Sequence, residues 1–308
     1  MNDTARPAAR PGFRTADCLL IIGMIAPLVV GMVLKILFTP VSDGIEVTGP
    51  LIYFTVPLPV QELPITESQV NSWLVMISIL FLCLYLTHGI KEKPDSRRQL
   101  VAEWIYEKTT NLVRDNMGPF FKGFAPFIGA MIGLSAFSSL MSLLGLFPPT
   151  SDLNVVAGWA ILSFALITAY KMKGGFGTYA KGYLSPTPVL LPINIISEFA
   201  TPLSMAFRHY GNVMSGSVVS VLVAAALQGL SAMLLGWLPG FLGDIPFLQV
   251  GIPAILSVYF DVFSGCLQAF IFAMLTMMYV SGGFPQPEYE ARQAKKRARA
   301  AAKAGRIA

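Results

Sequence analysis

VLLPINIISEFATPLSMAFRHYGNVMSGSVVSVLVAAALQGLSAMLL fills residues 189–235 and holds a single arginine, Arg208, in apolar surroundings. As a helix rising 1.5 Å per residue, 193–235 would run about 64 Å. A bilayer core is about 30 Å thick and takes on the order of 20 apolar residues upright. The segment must therefore tilt strongly or break. The next apolar run, 248–281, would reach about 51 Å and meets the same constraint. Working outward, four shorter runs lie at 18–38, 71–89, 124–147 and 155–170. Hydrophobic residues make up 54% of the 308 and charged residues 13%, about half the charge of a soluble domain. Mean hydropathy is +0.62. These features predict an all-α membrane protein with six membrane segments, the last two long and strongly tilted.

The basic residues orient it. Lys91, Lys93, Arg97 and Arg98 follow the second run, and Lys171, Lys173 and Lys181 follow the fourth. Beyond the sixth come Arg292, Lys295, Lys296, Arg297, Arg299, Lys303 and Arg306. The opposite connections, 39–70, 148–154 and 236–247, contain no Lys or Arg. The positive-inside rule then places both termini in the cytoplasm, and Arg6, Arg10 and Arg14 agree. The net charge of +5 is thus a topology signal rather than a nucleic-acid one. The first run could be a cleaved signal peptide. Its length, the internal Lys35 and the lack of an A-x-A-like site favour a retained anchor. In 97–117, Leu100, Val101, Trp104, Ile105, Leu112 and Val113 share one face, which predicts an amphipathic helix on the cytoplasmic surface. The tail after about 286 reads as a solvated or headgroup-bound extension.

Several chemistries are disfavoured. Cys18, Cys83 and Cys266 have no paired spacing, and His88 and His209 have no metal-ligand spacing. Neither a phosphate loop nor a nucleophile elbow appears, so no cofactor is expected.

The polar residues of the last two runs carry the functional signal. An arginine inside a span costs at least about 3 kcal/mol, and intramembrane charges are functional by default. A structural salt bridge to Glu198 or Asp261 is the bland alternative. Arg208, Asn212 and Ser215 recur at i, i+4 and i+7 and so share a face. On the sixth run Ser257, Asp261, Ser264 and Gln268 form a second stripe, at i, i+4, i+7 and i+11. Asp244 falls in the Gly/Pro-rich outer connection, where it is readily solvated.

At these residues the chain resembles subunit a of F-type ATP synthases. The likeness centres on LPINIISEFATPLSMAFRHYGN (191–212), with PPTSDLN (148–154), YKMKGG (170–175) and LQAFIFAMLT (267–276) in order. It spans about 45–284 and implies an ion-translocating domain there, with an additional anchor in 1–44 and a basic tail in 285–308. The resemblance implies that Arg208 faces the carboxylates of a rotating c-ring, with Asn212 and Gln268 at the family's polar positions. It further implies two offset half-channels, and peripheral-stalk b subunits as partners. The stripe of Ser257, Asp261, Ser264 and Gln268 reads from its spacing as the wall of an aqueous path, with a buried helix contact as the alternative, and Glu198 is counted among the translocation residues. A bacterial inner membrane follows from the same likeness. One family pair commonly joins an acid and a histidine. Here those positions hold Ser217 and Asp261, so the acid stays and a hydroxyl replaces its partner. Ser217 lies nine residues after Arg208, about 180° around the helix, and should face the subunit interior near Asp261. In the third run, Ser142 stands where some members carry an acid.

A secondary transporter with a charged midplane site is the main rival. It should show internal repeats and a substrate pocket, and no repeat is visible.

Overall fold

In lipid the backbone must satisfy its own N–H and C=O groups, so apolar runs of this length become helices. The computed structural model describes residues 15–39, 49–57, 59, 62–92, 96–184, 187–235 and 251–304. Arg6, Arg10, Arg14, Lys93, the 236–247 connection with Asp244, and Arg306 lie outside the described residues. Helix α1 is Thr15–Phe38, followed by a hairpin of β1 (Ile52–Val56) and β2 (Leu63–Thr66), then α2 (Glu67–Thr87). The surface helix α3 is Arg97–Met117, and α4 is Ala125–Leu140 with 3₁₀ turns at both ends. Helices α5 (Leu153–Met172), α6 (Phe176–Tyr183) and α7 (Leu191–Leu235) follow. The last span is α8 (Ile252–Ser257), a π turn over Val258–Ser264, and α9 (Gly265–Gly282). Helix α10 is Gln286–Ala304. Among the described residues six helical stretches are long and apolar enough to cross a membrane.

α7 is a continuous 45-residue helix, about 68 Å long, despite Pro202 within it. It packs on α5 and on α9, α9 packs on α4, and α1 lies along α2. The core forms where these helices converge. Ile128 and Met131 of α4, Val156 and Ala160 of α5, Met205 and Ala206 of α7, and Phe272 and Met277 of α9 are buried together.

α3 departs in part from its predicted face. Gln99, Val113 and Met117 point into the bundle, whereas Leu100, Val101, Trp104 and Ile105 are exposed. At 100° per residue these exposed positions lie on the opposite side of the helix from the buried ones. The apolar stripe therefore looks outward, as suits an in-plane helix with lipid on one side. The 39–70 connection contains the hairpin, in which β1 runs antiparallel to β2. Tyr53 on β1 has its phenol pushed up to about 12, first by burial and then by the Glu67 charge.

Ion pairs hold both ends of α1. Arg98 Nη1 donates to Asp17 Oδ1 at 2.5 Å, and Lys35 Nζ lies 3.5 Å from Glu67 Oε1. The tail is helical at its start and is pinned to the bundle. Tyr289 stacks 5.4 Å from Phe120 and 5.3 Å from Phe284, and Arg292 donates to the Lys173 carbonyl at 3.4 Å.

Two glycines let helices touch. A Cβ on Gly265 would stand 2.7 Å from the Ser139 Cβ, and one on Gly216 would stand 3.0 Å from Phe260. We expect Gly265→Val to destabilise the subunit by about 1–3 kcal/mol through overpacking. Thermal unfolding in detergent should show this, and Ser139→Gly in the same chain should recover part of the loss.

Candidate functional site

Arg208 is placed by its neighbours. Met205, Ala206 and His209 turn inward and are buried, which leaves Arg208 on the outer face of α7. His209 accounts for much of that indexing. It is fully buried, its Nε2 is 3.3 Å from Ser135 Oγ of α4, and its ring meets Trp159 and Phe272 edge-on at 5.9 and 5.6 Å. Around Arg208 the exposed surface is apolar, with Phe199, Leu203 and Phe207. Within the described residues Arg208 makes neither a hydrogen bond nor an ion pair.

The bland salt-bridge alternative is therefore set aside. Glu198 pairs instead with Lys171 of α5, whose Nζ donates to both carboxylate oxygens at 2.9 and 2.8 Å. Helix phase gives the reason. Glu198 is ten residues before Arg208, about 80° away around the axis, and shares its face with Met205 and His209 at i+7 and i+11. Asp261 accepts a hydrogen bond from Ser257 on its own helix.

Both polar stripes meet at one point. Ser264 Oγ donates to Asn212 Oδ1 at 3.0 Å, joining the last span to α7 one turn beyond Arg208. Ser215 Oγ bonds back to the Asn212 carbonyl at 3.1 Å. The π turn alters the second stripe, because i→i+5 bonding advances the helix less than 100° per residue. Ser257, Asp261 and Ser264 are half-buried, while Gln268 turns into the core at 3% exposure. Ser217 does not face the subunit interior as expected. It is exposed and its Oγ donates to the Met214 carbonyl at 2.8 Å. Its neighbour Gly216, packed on Phe260, occupies the inward position.

Lys171 and Glu198 line a cavity of about 580 Å³ shared by α5, α6, α7 and the end of α9. Tyr179, Tyr183, Asn194 and Thr201 contribute to its wall. The Tyr183 phenol is raised above its ordinary value by burial first, then by its hydrogen bond to Tyr179 and the Glu198 charge.

The family model described as "ATP synthase A chain" matches residues 69–281. The chain belongs to this family. Curated relatives agree with it. A Propionigenium modestum protein named ATP synthase subunit a, sodium ion specific, is 30% identical over 275 residues, covering 79% of this chain and 88% of that one. A Priestia megaterium ATP synthase subunit a is 32% identical over 238 residues, covering 72% and 94%. One from Legionella pneumophila strain Paris is 30% identical over 228 residues, covering 73% and 90%. The chain is thus an ATP synthase subunit a family member, a multi-pass component of the synthase membrane sector. Helix α1 and helix α10 fall outside the matched segment.

Sequence reasoning missed two residues here. Lys171 read as a topology marker, although a lysine and a lone intramembrane glutamate at facing helix ends were a usable signal. His209 read as isolated, although its 100° offset from an outward arginine already turned it toward the core. Lys171→Ala should cost about 1–3 kcal/mol by leaving Glu198 charged and unpaired. A double-mutant cycle with Glu198→Ala, followed by thermal unfolding in detergent, should return a coupling within about 0.5–3 kcal/mol.

Proposed function

We propose that this chain is the ion-conducting stator of a rotary ATP synthase, in which Arg208 separates two offset half-channels facing a ring of carboxylates. The observation that carries this reading is a lone guanidinium, exposed on an apolar helix face and lacking a partner among the described residues. Such a group in a membrane needs an anion or water beside it. A passing carboxylate on a second protein satisfies that need intermittently. The fixed cation favours the ionised carboxylate locally, so the carried ion leaves there rather than crossing directly. Arginine suits the task because it does not deprotonate in proteins. Each charge that crosses gains about 2.3 kcal/mol per 100 mV, so several are needed per ATP.

The remaining assignments follow from position. The cavity at Glu198 and Lys171 lies at the basic end of the bundle and serves as the cytoplasmic half-channel. Asp261, with Ser257, Ser264 and Gln268, lines the outer half, and Asn212 bridges to it. Ser217 is peripheral to this route because its hydroxyl is spent on its own helix. Both termini face the cytoplasm of a bacterial inner membrane, residues 1–44 add an anchor, and 285–308 form a basic tail toward lipid headgroups. The peripheral-stalk b subunits complete the stator. The coupling ion is a cation taken up by ring carboxylates, a proton or, as the name of the Propionigenium relative says of that protein, sodium. Stimulation of ATP hydrolysis by Na⁺ separates the two.

Arg208→Ala should assemble yet lose ATP-driven pumping and coupled synthesis, read by vesicle acidification and ATP yield. Arg208→Lys should not restore full function, since a desolvated lysine can lose its proton. Normal coupling in an assembled Arg208→Ala complex would remove the proposal. Asp261→Asn should slow flux strongly and Asp261→Glu much less. Ser217→Ala should leave flux close to wild type, because water replaces one hydroxyl contact.

A further inference from the structure

The last helix carries its cations on one side. Positions Lys295, Lys296, Arg299 and Lys303 fall within about 60° of Arg292 around the α10 axis. Glu288, about 40° from Arg292, is the one acid on that arc, and Arg297 lies on the far side. Alanines 291, 294, 298 and 301 make up most of the rest. Within the arc, 292 and 296, 295 and 299, and 299 and 303 are like-charged pairs one turn apart, a spacing that destabilises a helix standing alone. From Ala294 to Ala298 every side chain is exposed. A helix so composed calls for an anionic surface along one side.

The first two turns of α10 fix where that side points. Tyr289 stacks 5.4 Å from Phe120, in the 3₁₀ turn before α4, and 5.3 Å from Phe284. Arg292 donates to the Lys173 carbonyl at 3.4 Å, and a Cβ on Gly175 would stand 2.9 Å from its Nη1. The basic arc therefore faces the loop that closes the basic end of α5, toward the bundle and the bilayer around it. The same joint bears on the cavity beside Glu198. A Cβ on Gly283 would stand 2.9 Å from Lys171 Cγ and Cε, and Gly282, Gly283 and Pro285 line the cavity with Lys171 and Glu198. Lys171 is the cation that holds both Glu198 oxygens. One short joint, 282–285, thus sets both the direction of α10 and the position of that wall.

We propose that α10 is an electrostatic clamp that docks on anionic phospholipid headgroups and thereby fixes the Lys171 wall of the cavity. Headgroup phosphates offset the like charges of the arc, and each basic residue beside an anionic surface shifts the docked-to-free ratio by about fivefold. Past Tyr289, residues 290–304 contain no aromatic or branched apolar side chain, so the helix docks on headgroups and not in hydrocarbon. The rings around Tyr289 and the Arg292 hydrogen bond hold only its first two turns, and lipid charge holds the remainder. The proposal rests on the reading of 285–308 as a headgroup-facing tail and of the cavity as the route past Glu198. It adds the lipid class and the mechanical link between the two.

The test places the whole synthase in vesicles of phosphatidylcholine alone or of phosphatidylcholine with phosphatidylglycerol, and follows amide hydrogen exchange across 286–304. In low salt, exchange should be at least about tenfold slower in the phosphatidylglycerol vesicles, and high salt should abolish the difference. Lys295→Gln, Lys296→Gln, Arg299→Gln and Lys303→Gln combined should exchange at one fast rate in both lipids. The same variant should pump at least about twofold slower than wild type in the charged vesicles and equal it in the neutral ones. If it fails to assemble, the salt dependence of the wild type decides. Equal protection of the wild-type helix in both lipids overturns the clamp. Should that protection vanish once the subunit is separated from the complex, an acidic protein partner holds α10 instead. Lost protection with unchanged pumping overturns the link to the cavity. The exchange results do not depend on Arg208, so normal coupling in Arg208→Ala would discard the stator reading and leave the clamp standing.

Discussion

An ionised group in hydrocarbon is too costly to leave alone, and this molecule is arranged around that constraint. Asp17 meets Arg98, Lys35 meets Glu67, and Lys171 meets Glu198, each pair near a helix end and each joining separate elements. These pairs tie α1 to α2 and to the surface helix α3, and the fourth span to the fifth. Arg208 stands apart as a charge turned outward without such a partner among the described residues. Under the proposed stator role, pairing elsewhere and exposure here follow from one rule: a subunit that works on a second protein leaves one charge unsatisfied in itself.

Holding that charge outward requires the opposite face of α7 to be indexed firmly. His209 does this between Ser135, Trp159 and Phe272, drawing on α4, α5 and α9 at one level of the bundle. Small residues then bring the last two spans and α4 close enough for polar contact. Gly216 admits Phe260 and Gly265 admits Ser139, while the π turn between them rotates Gln268 inward and leaves Asp261 half-buried. Packing thus sorts one polar stripe into a core residue and a set of half-buried groups.

The two ends of the bundle treat polarity differently. At the basic end, Lys171 and Glu198 border an open cavity of about 580 Å³. At the other end, the polar groups around Glu67 and the 147–152 loop are packed tightly, and several lack partners among the described residues. The proposed offset half-channels call for such an asymmetry, because a continuous aqueous pore would short-circuit the ion gradient.

Much of this was legible in the residues themselves. Six apolar runs, the placement of Lys and Arg, and the single arginine in 189–235 determine the class of protein, because lipid forces helices and penalises lone charge. The family signal in 191–212 and 267–276 narrows that class to a working part. Helix phase alone also separates Glu198 from Arg208 by about 80°. Tertiary structure decided which partners fill each polar need. Lys171 reaches Glu198 across 27 residues of chain, Ser135 reaches His209 across 74, and Asn71 reaches the Phe147 carbonyl across 76. No local periodicity encodes such contacts. They depend on how closely helices approach, which glycines and the π turn at Val258–Ser264 set only once the bundle has formed.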